Sequence, residues 1–327
     1  MAYLKIPNIK LIGLAASVPK EVESNDDLPF FQKEELETLK LNTGIHFRRI
    51  ARTNQTAADL CVEAASKLLA LEEDQQQDIE VLVFVTQTPN QAIPGGASQL
   101  QTRLGLSNNC MVLDLNQGCA GYVYGLSVIA SIMSAAALKK GLLLVGDTIT
   151  KTLDKNDKST LPIFSDAGSA TLLEFDKEAA PLHFNLQSDG LKYQSIYQAK
   201  DGLLQMKGHD VFYFGSAEVP QNVKKLFEQS TIDQEVIDYF VFHQANLLLN
   251  EAIRRKLVIE KHKVPYSLEA FGNTSSATIP ITMVANLAKQ LQNENNTYLL
   301  SGFGVGLSCA SVIINIADIV CPDIIEL

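Results

Sequence analysis

Apolar runs and mixed-polarity stretches alternate along this chain at the spacing of strands and helices. Ile79-Glu80-Val81-Leu82-Val83-Phe84-Val85 is a short β-branched run and reads as a buried strand. The segment Thr86 to Pro94 contains two prolines and reads as a loop, and Ala97 to Leu104 follows as a helix. Met111 to Asn116 predicts a second strand. A long apolar helix is predicted from Ala120 to Lys140, with Gly141 as its C-cap and Lys139 and Lys140 at its negative end. Leu142-Leu143-Leu144-Val145 predicts a third strand. This alternation argues for an α/β class with largely parallel strands.

The pattern then recurs. Ile237 to Phe242 reads as a strand, Asn246 to Lys256 as a helix, and Tyr266 to Ala270 as a strand. A helix from Ser275 to Leu291 and a strand at Tyr298-Leu299-Leu300 follow. The first strand of the first set begins 40 residues before Cys119, and its counterpart begins 36 residues before Asn273. The intervals to the next strand are 23 residues from Cys119 and 25 from Asn273. Similar spacing arises by chance among α/β units, but the run of matching intervals points to a duplicated unit. Cys119 and Asn273 would then sit in matching strand-to-helix turns. The halves are expected at residues 1–175 and 176–327, with no Pro/Gly/Ser-rich linker between them.

Composition narrows the function. The formal net charge is −10, whereas nucleic-acid binding wants a basic surface. No apolar run reaches the roughly 20 residues of a membrane span, and no basic amphipathic stretch suggests a membrane surface. The N-terminal residues do not read as a signal peptide. The five cysteines, Cys61, Cys110, Cys119, Cys309 and Cys321, are odd in number and lack CxxC spacing. A disulfide framework or zinc site is not expected, and a reducing cytoplasm is.

Cys119 stands in Asp114-Leu115-Asn116-Gln117-Gly118-Cys119-Ala120-Gly121, where a strand ends and a helix begins. Unpaired N–H groups and partial positive charge at a helix start stabilise a thiolate, so a pKa below the usual 8.5 or so is expected. The alternative is a small buried apolar cysteine. His243, in Val241-Phe242-His243-Gln244-Ala245-Asn246, lies just past the C-terminal end of a strand, where open α/β sheets place their ligands; a lone histidine there can equally be structural. Asn273, in Phe271-Gly272-Asn273-Thr274-Ser275-Ser276-Ala277, would by itself be a helix N-cap. His46, His183, His209 and His262 lack such settings and read as surface or structural. Cys309, in an apolar run, reads as core.

Taken together, Asp-Leu-Asn-Gln-Gly-Cys-Ala-Gly, His-Gln-Ala-Asn and Gly-Asn-Thr-Ser-Ser-Ala, in that order, resemble the beta-ketoacyl-acyl carrier protein synthase III family of the thiolase superfamily. Thr43-Gly44-Ile45, Arg48-Arg49-Ile50-Ala51, Phe164-Ser165-Asp166-Ala167-Gly168, Met206-Lys207-Gly208 before Val211-Phe212, and Gly302-Phe303-Gly304-Val305-Gly306 add to the likeness, which spans about residues 8 to 313. The resemblance implies a thiolase-like fold of duplicated α/β halves in αβαβα layers. It implies an acyl-Cys119 intermediate and a decarboxylative condensation with malonyl-acyl carrier protein to a 3-oxoacyl product. His243 and Asn273 would hold the thioester oxygen, and the backbone N–H groups of Cys119 and the turn at Val305 and Gly306 the other oxyanion. It implies no metal and no cofactor, coenzyme A or carrier protein thioesters as substrates, and a homodimer joined through the loop Thr86 to Gly96. Transfer of the acyl group to an alcohol or amine, in secondary metabolism or surface-carbohydrate assembly, is the second reading.

Several positions depart from the family pattern. Thr38 stands where a tryptophan usually stacks on adenine, and the chain has no tryptophan. Asn42, Tyr213 and Leu248 stand where basic residues are usual, and Lys158 where an arginine is. The cluster Arg254-Arg255-Lys256 remains, either as a solvated face or as a docking patch for an acidic carrier protein.

Overall fold

The computed structural model describes residues 1–71 and 75–327. The chain opens with β1 (Ala2–Ile6) and β2 (Ile9–Val18), then β3 (Val22–Ser24), helix α1 (Lys33–Thr43) and β4 (Phe47–Arg49). Helix α2 (Ala57–Leu71) leads to β5 (Ile79–Val85), α3 (Gly96–Arg103), β6 (Met111–Leu115), α4 (Gly121–Ala136), β7 (Lys140–Asp147) and β8 (Ala167–Phe175). Next come β9 (Leu182–Ser188), β10 (Ile196–Gln198), β11 (Leu204–Met206), α5 (Gly208–Ser230), β12 (Tyr239–Phe242) and α6 (Leu247–Lys256). The chain closes with α7 (Leu268–Phe271), α8 (Thr278–Asn293), β13 (Asn295–Gly304), β14 (Ser308–Ala317) and β15 (Ile325–Glu326).

Two large sheets result, in the orders β15-β2-β8-β7-β5-β6 and β1-β9-β14-β13-β12. The internal order repeats: β5 pairs parallel with β7, and β12 with β13, before antiparallel neighbours follow in each sheet. Helices α4 and α8 fill the space between the sheets, in one apolar cluster with Val83, Leu143, Leu300 and Val312. A central helix meets apolar partners on opposite sides, which is why α4 carries no charged residue. Each fully buried Leu, Ile or Val there contributes about 1.5–3 kcal/mol. A second cluster joins α5 and α6 to the outer face of one sheet, and a third joins α2 and α3 to the other. The five layers expected of a thiolase-like fold are therefore present. Gly125 lets α4 lie against its sheet; a Cβ there would fall 2.7 Å from Val85 and 2.8 Å from Leu143.

Three sequence expectations need correction. Tyr266 to Ala270 is not a strand; Leu268–Phe271 is a single helical turn. Its apolar alternation mimics a strand, but Leu, Glu and Ala favour helix, and Gly272 ends the turn at φ +57°. Asn273 therefore follows a helix rather than a strand, and only Cys119 sits after a strand. Helix α4 ends at Ala136, with Ala137 in the left-handed region, and Gly141 lies inside β7, where a Cβ would meet the Met133 sulfur. The sheets are mixed rather than largely parallel. The boundary at residue 175 coincides with the end of β8, yet β1 pairs with β9 in the second sheet and β15 with β2 in the first. Both chain ends thus cross to the opposite half.

Candidate active site

Cys119, His243 and Asn273 line one cavity of about 200 Å³, walled also by Phe164, Met206 and Phe303. Cys119 lies in the turn between β6 and α4, one residue before the Ala120 N-cap, and is 6% exposed. The depressed pKa expected from a helix start does not hold. Burial pushes the thiol up to about 12; the Asp147 carboxylate adds to the rise, while the Val305 N–H, the Ser275 hydroxyl and the Cys119 N–H oppose it. Desolvation of the thiolate by burial is the largest influence on it. Cys119 is thus a buried thiol set in a pocket of donors. Cys309 is core, as expected.

The turn after β13 supplies one of those donors. The Val305 N–H lowers the Cys119 pKa, opposing the effect of burial, and Gly306 is the next residue, at φ +130°. Gly302 and Gly304 let β13 run against the nucleophile; a Cβ on Gly302 would fall 2.8 Å from the Cα of Ala120.

His243 directly follows β12, its N–H donating to the Ser301 carbonyl at 2.8 Å. Its neighbours in the motif are structural. Gln244 bridges the Phe242 carbonyl and the Ser267 N–H, and Asn246 caps α6 by accepting from the Leu249 N–H. The imidazole meets Phe303 edge-on, with ring centres 5.3 Å apart, and its Nδ1 lies 2.6 Å from Thr278 Oγ1. Burial holds it neutral, its pKa pulled down to about 3.

Asn273 is braced by its own backbone, which bonds to Ile163 and Ser165. Its Oδ1 accepts the Ser275 N–H at 2.9 Å, leaving the amide Nδ2 as a free donor. The Phe164-Ser165-Asp166 motif explains itself here. Phe164 walls the cavity, the Ser165 Oγ accepts the Arg49 N–H at 2.7 Å, and Asp166 accepts the N–H groups of Ala51 and Thr150.

Sequence reasoning missed Asp147. It is fully buried at the end of β7, and burial raises its pKa. Its Oδ1 accepts the Gln87 N–H at 2.7 Å and the Thr86 hydroxyl at 3.1 Å. Its Oδ2 accepts the Ser276 hydroxyl at 2.6 Å and the Ser276 N–H at 3.3 Å. The one available signal was an acid at the C-terminal end of an otherwise apolar strand.

Comparison with known proteins agrees with this geometry. Residues 113–190 match the family model described as 3-oxoacyl-[acyl-carrier-protein] synthase III, and residues 227–316 match the model of its C-terminal part. The beta-ketoacyl-[acyl-carrier-protein] synthase III of Streptococcus agalactiae is 33% identical over 322 residues, covering 94% of this chain and 99% of that one. This chain belongs to the 3-oxoacyl-[acyl-carrier-protein] synthase III family. The Streptococcus pneumoniae synthase III is 31% identical over 331 residues, covering 97% of this chain and all of its own length. The crystal structure of a 3-oxoacyl-(acyl-carrier protein) synthase from Burkholderia xenovorans superposes with a TM-score of 0.97 at 32% identity. It covers 100% of this chain and 99% of that one.

Against the synthase III pattern, the departures lie on the surface. Thr38 and Asn42 are exposed on α1, and Tyr213 and Leu248 are 68% and 53% exposed. Lys158 is engaged with Glu35 at 3.1 Å and lies over the Phe31 ring. The three cations of the carrier-docking candidate differ in availability. Arg254 is held by both oxygens of Glu251 and by the Ile259 carbonyl. The side chain of Arg255 is 75% exposed, and Lys256 donates to the Ser216 carbonyl. A larger cleft of about 680 Å³, lined by Lys40, Glu251, Arg255 and Glu269 among others, carries both charge signs and none of the three site residues. Among the described residues no group of acids, histidines and cysteines could hold a metal, and no helix is long and apolar enough to cross a membrane.

Proposed function

We propose that this synthase III family member forms an acyl-Cys119 intermediate and condenses it with malonyl-acyl carrier protein to a 3-oxoacyl product. One observation carries the assignment: a buried thiol, a neutral imidazole and a free amide donor line the same cavity. Cys119 sulfur bonds to the acyl carbonyl carbon, and the carbonyl electron pair moves to oxygen. Collapse expels the donor thiolate, which departs, in net terms, with the Cys119 proton. The reading gives the hold on that first oxyanion to the N–H groups of Cys119 and of the turn at Val305 and Gly306.

In the second half, the bond between the malonyl α-carbon and its carboxylate breaks and carbon dioxide leaves. The electron pair becomes an enolate whose oxygen is held by His243 and Asn273. The α-carbon then attacks the acyl carbonyl, and Cys119 leaves as thiolate, which takes up a proton from water to restore the resting thiol. The 2.6 Å contact of Thr278 Oγ1 with Nδ1 is shorter than its 3.2 Å contact with the Ser275 carbonyl. The reading requires the Thr278 hydroxyl to donate to Nδ1, so that Nδ1 accepts and the neutral imidazole carries its single N–H at Nε2 as the donor. His243→Ala and Asn273→Ala should each slow malonyl decarboxylation by on the order of 10²–10³-fold, the cost of one lost oxyanion donor. Acylation of Cys119 should fall less; equal losses in both half-reactions refute the division of labour. Transfer of the acyl group to an alcohol or amine, the second reading, has no use for two donors aimed at an enolate.

The same reading gives the reaction no metal or cofactor and takes acyl and malonyl groups on a carrier protein or coenzyme A. A second copy of the chain is proposed as partner. Ile93, 89% exposed in the loop Thr86 to Gly96, and the sheet-edge strand β6, with Met111 41% exposed, support a paired surface. Ile93→Glu should lower the sedimentation coefficient from dimer to monomer; a wild-type monomer with full activity at micromolar concentration excludes the pairing. The five cysteines are buried and unpaired, which suits a reducing cytoplasm.

A further inference from the structure

We infer that Asp147 is a positioning residue that sets His243 and Asn273 for decarboxylation through the turn Ser275–Thr278. The inference rests on the proposed reaction and adds a part to it.

The turn Ser275–Thr278 touches both side chains. The Ser275 N–H fixes the Asn273 amide by donating to Oδ1 at 2.9 Å, and Thr278 Oγ1 meets His243 Nδ1 at 2.6 Å. The turn does not rest in a relaxed form: Ser275 has φ +53°, a region costly for a residue with a Cβ, so its surroundings must hold it there. Asp147 does so from the other half of the chain. Its Oδ2 takes both the hydroxyl and the N–H of Ser276, the residue after Ser275 in the turn that leads into α8. Its Oδ1 takes the Gln87 N–H and the Thr86 hydroxyl, so the same carboxylate anchors the start of the loop beside the nucleophile turn.

The donor pattern makes a carboxylate necessary. Each oxygen faces one backbone N–H, which can only donate. An asparagine would turn its NH₂ toward one of those N–H groups whichever way it lay, breaking one anchor and leaving buried donors unpaired. The requirement concerns geometry: Asp147 does not line the cavity that holds Cys119, His243 and Asn273.

The test is a double-mutant cycle on the two half-reactions. Asp147→Asn should lower malonyl decarboxylation by on the order of 10²-fold, toward the cost of one lost oxyanion donor. Cys119 acylation, followed by mass spectrometry, should fall much less. In an Asn273→Ala background, Asp147→Asn should cost less than it does alone, because one of the two groups it positions is gone. Full multiplication of the two losses, or undiminished decarboxylation in Asp147→Asn, overturns the inference. If Asp147→Asn does not fold, Ser276→Ala, which removes only the 2.6 Å hydroxyl bond, carries the same cycle with the same opposing outcomes. Ring ¹⁵N shifts of His243 give a readout independent of turnover. They should move in the variant, and unchanged shifts overturn the inference. A wild-type enzyme that does not decarboxylate malonyl thioesters contradicts the proposed reaction, while the ¹⁵N shifts still decide the role of Asp147.

Discussion

Gly304 lies so close to Cys119 that a Cβ placed on it would sit 2.8 Å from the sulfur and 2.7 Å from the Cys119 Cβ. Gly304 also holds φ +154°, a conformation L side chains rarely adopt. Gly304→Ala should therefore displace the strand end that carries the Val305 N–H. The expected result is a loss of Cys119 acylation on the order of 10²-fold, comparable to removing one oxyanion donor. Stopped acylation assays with intact-mass detection measure it; a variant acylated at the wild-type rate would mean that the Val305 turn does not hold the first oxyanion.

The pH behaviour of the thiol follows from its burial. With the Cys119 pKa raised to about 12, the thiol is protonated across the neutral range, and the thiolate fraction rises about tenfold per pH unit well below that value. Its alkylation by iodoacetamide should climb steadily from pH 6 to pH 10 or so, with no plateau below the reference of about 8.5. His243, neutral with its pKa near 3, adds no inflection between about pH 5 and 8. Cys61, Cys309 and Cys321 are raised to about 12 as well, so access through the cavity, rather than acidity, should single out Cys119. A plateau near pH 7 would show a stabilised thiolate and restore the expectation drawn from the helix start.

How much of this was legible in the sequence depends on how local each cause is. Strands β5 and β6 and helix α3 were readable because their apolar periodicity lies within one segment. The turn at Leu268–Phe271 was not, since Tyr266, Leu268 and Ala270 alternate as a strand would. The chain-end crossings depend on pairings such as Ala2 with Leu186, which no local pattern records. At the site, the motifs singled out Cys119, His243 and Asn273, which the fold brings to one cavity. The thiol pKa was misjudged because burial is a tertiary property, whereas a helix start is a local one. Asp147 was invisible because its partners Gln87 and Ser276 lie 60 and 129 positions away.

The choice between carrier protein and coenzyme A turns on the exposed cation Arg255. Arg254 is held by Glu251 at 2.9 Å, whereas Arg255 lies 3.6 Å from the same carboxylate with its side chain 75% exposed, so Arg255 is the more accessible charge for steering an acidic partner. Arg255→Glu should slow Cys119 acylation by carrier-bound acyl groups by roughly tenfold at low salt, the range of a steering effect, and leave coenzyme A donors nearly unchanged. The gap should close as salt rises, because exposed charges are screened over about 8–10 Å. Without the adenine-stacking tryptophan, wild type should also favour carrier donors, since such stacking is worth about 1–3 kcal/mol. A salt-insensitive preference for coenzyme A contradicts both parts.

The central claim is that Cys119 carries an acyl group which a malonyl donor then removes by forming a carbon–carbon bond. The most direct measurement is mass spectrometry of the Cys119 peptide through one turnover, with the released product collected. Incubation with an acyl thioester should add the acyl mass to Cys119 alone. Adding malonyl-acyl carrier protein should then clear the adduct, release carbon dioxide and yield a 3-oxoacyl thioester two carbons longer than the acyl group. An unmodified Cys119, or an adduct that passes to water, an alcohol or an amine with no carbon–carbon bond formed, contradicts the account.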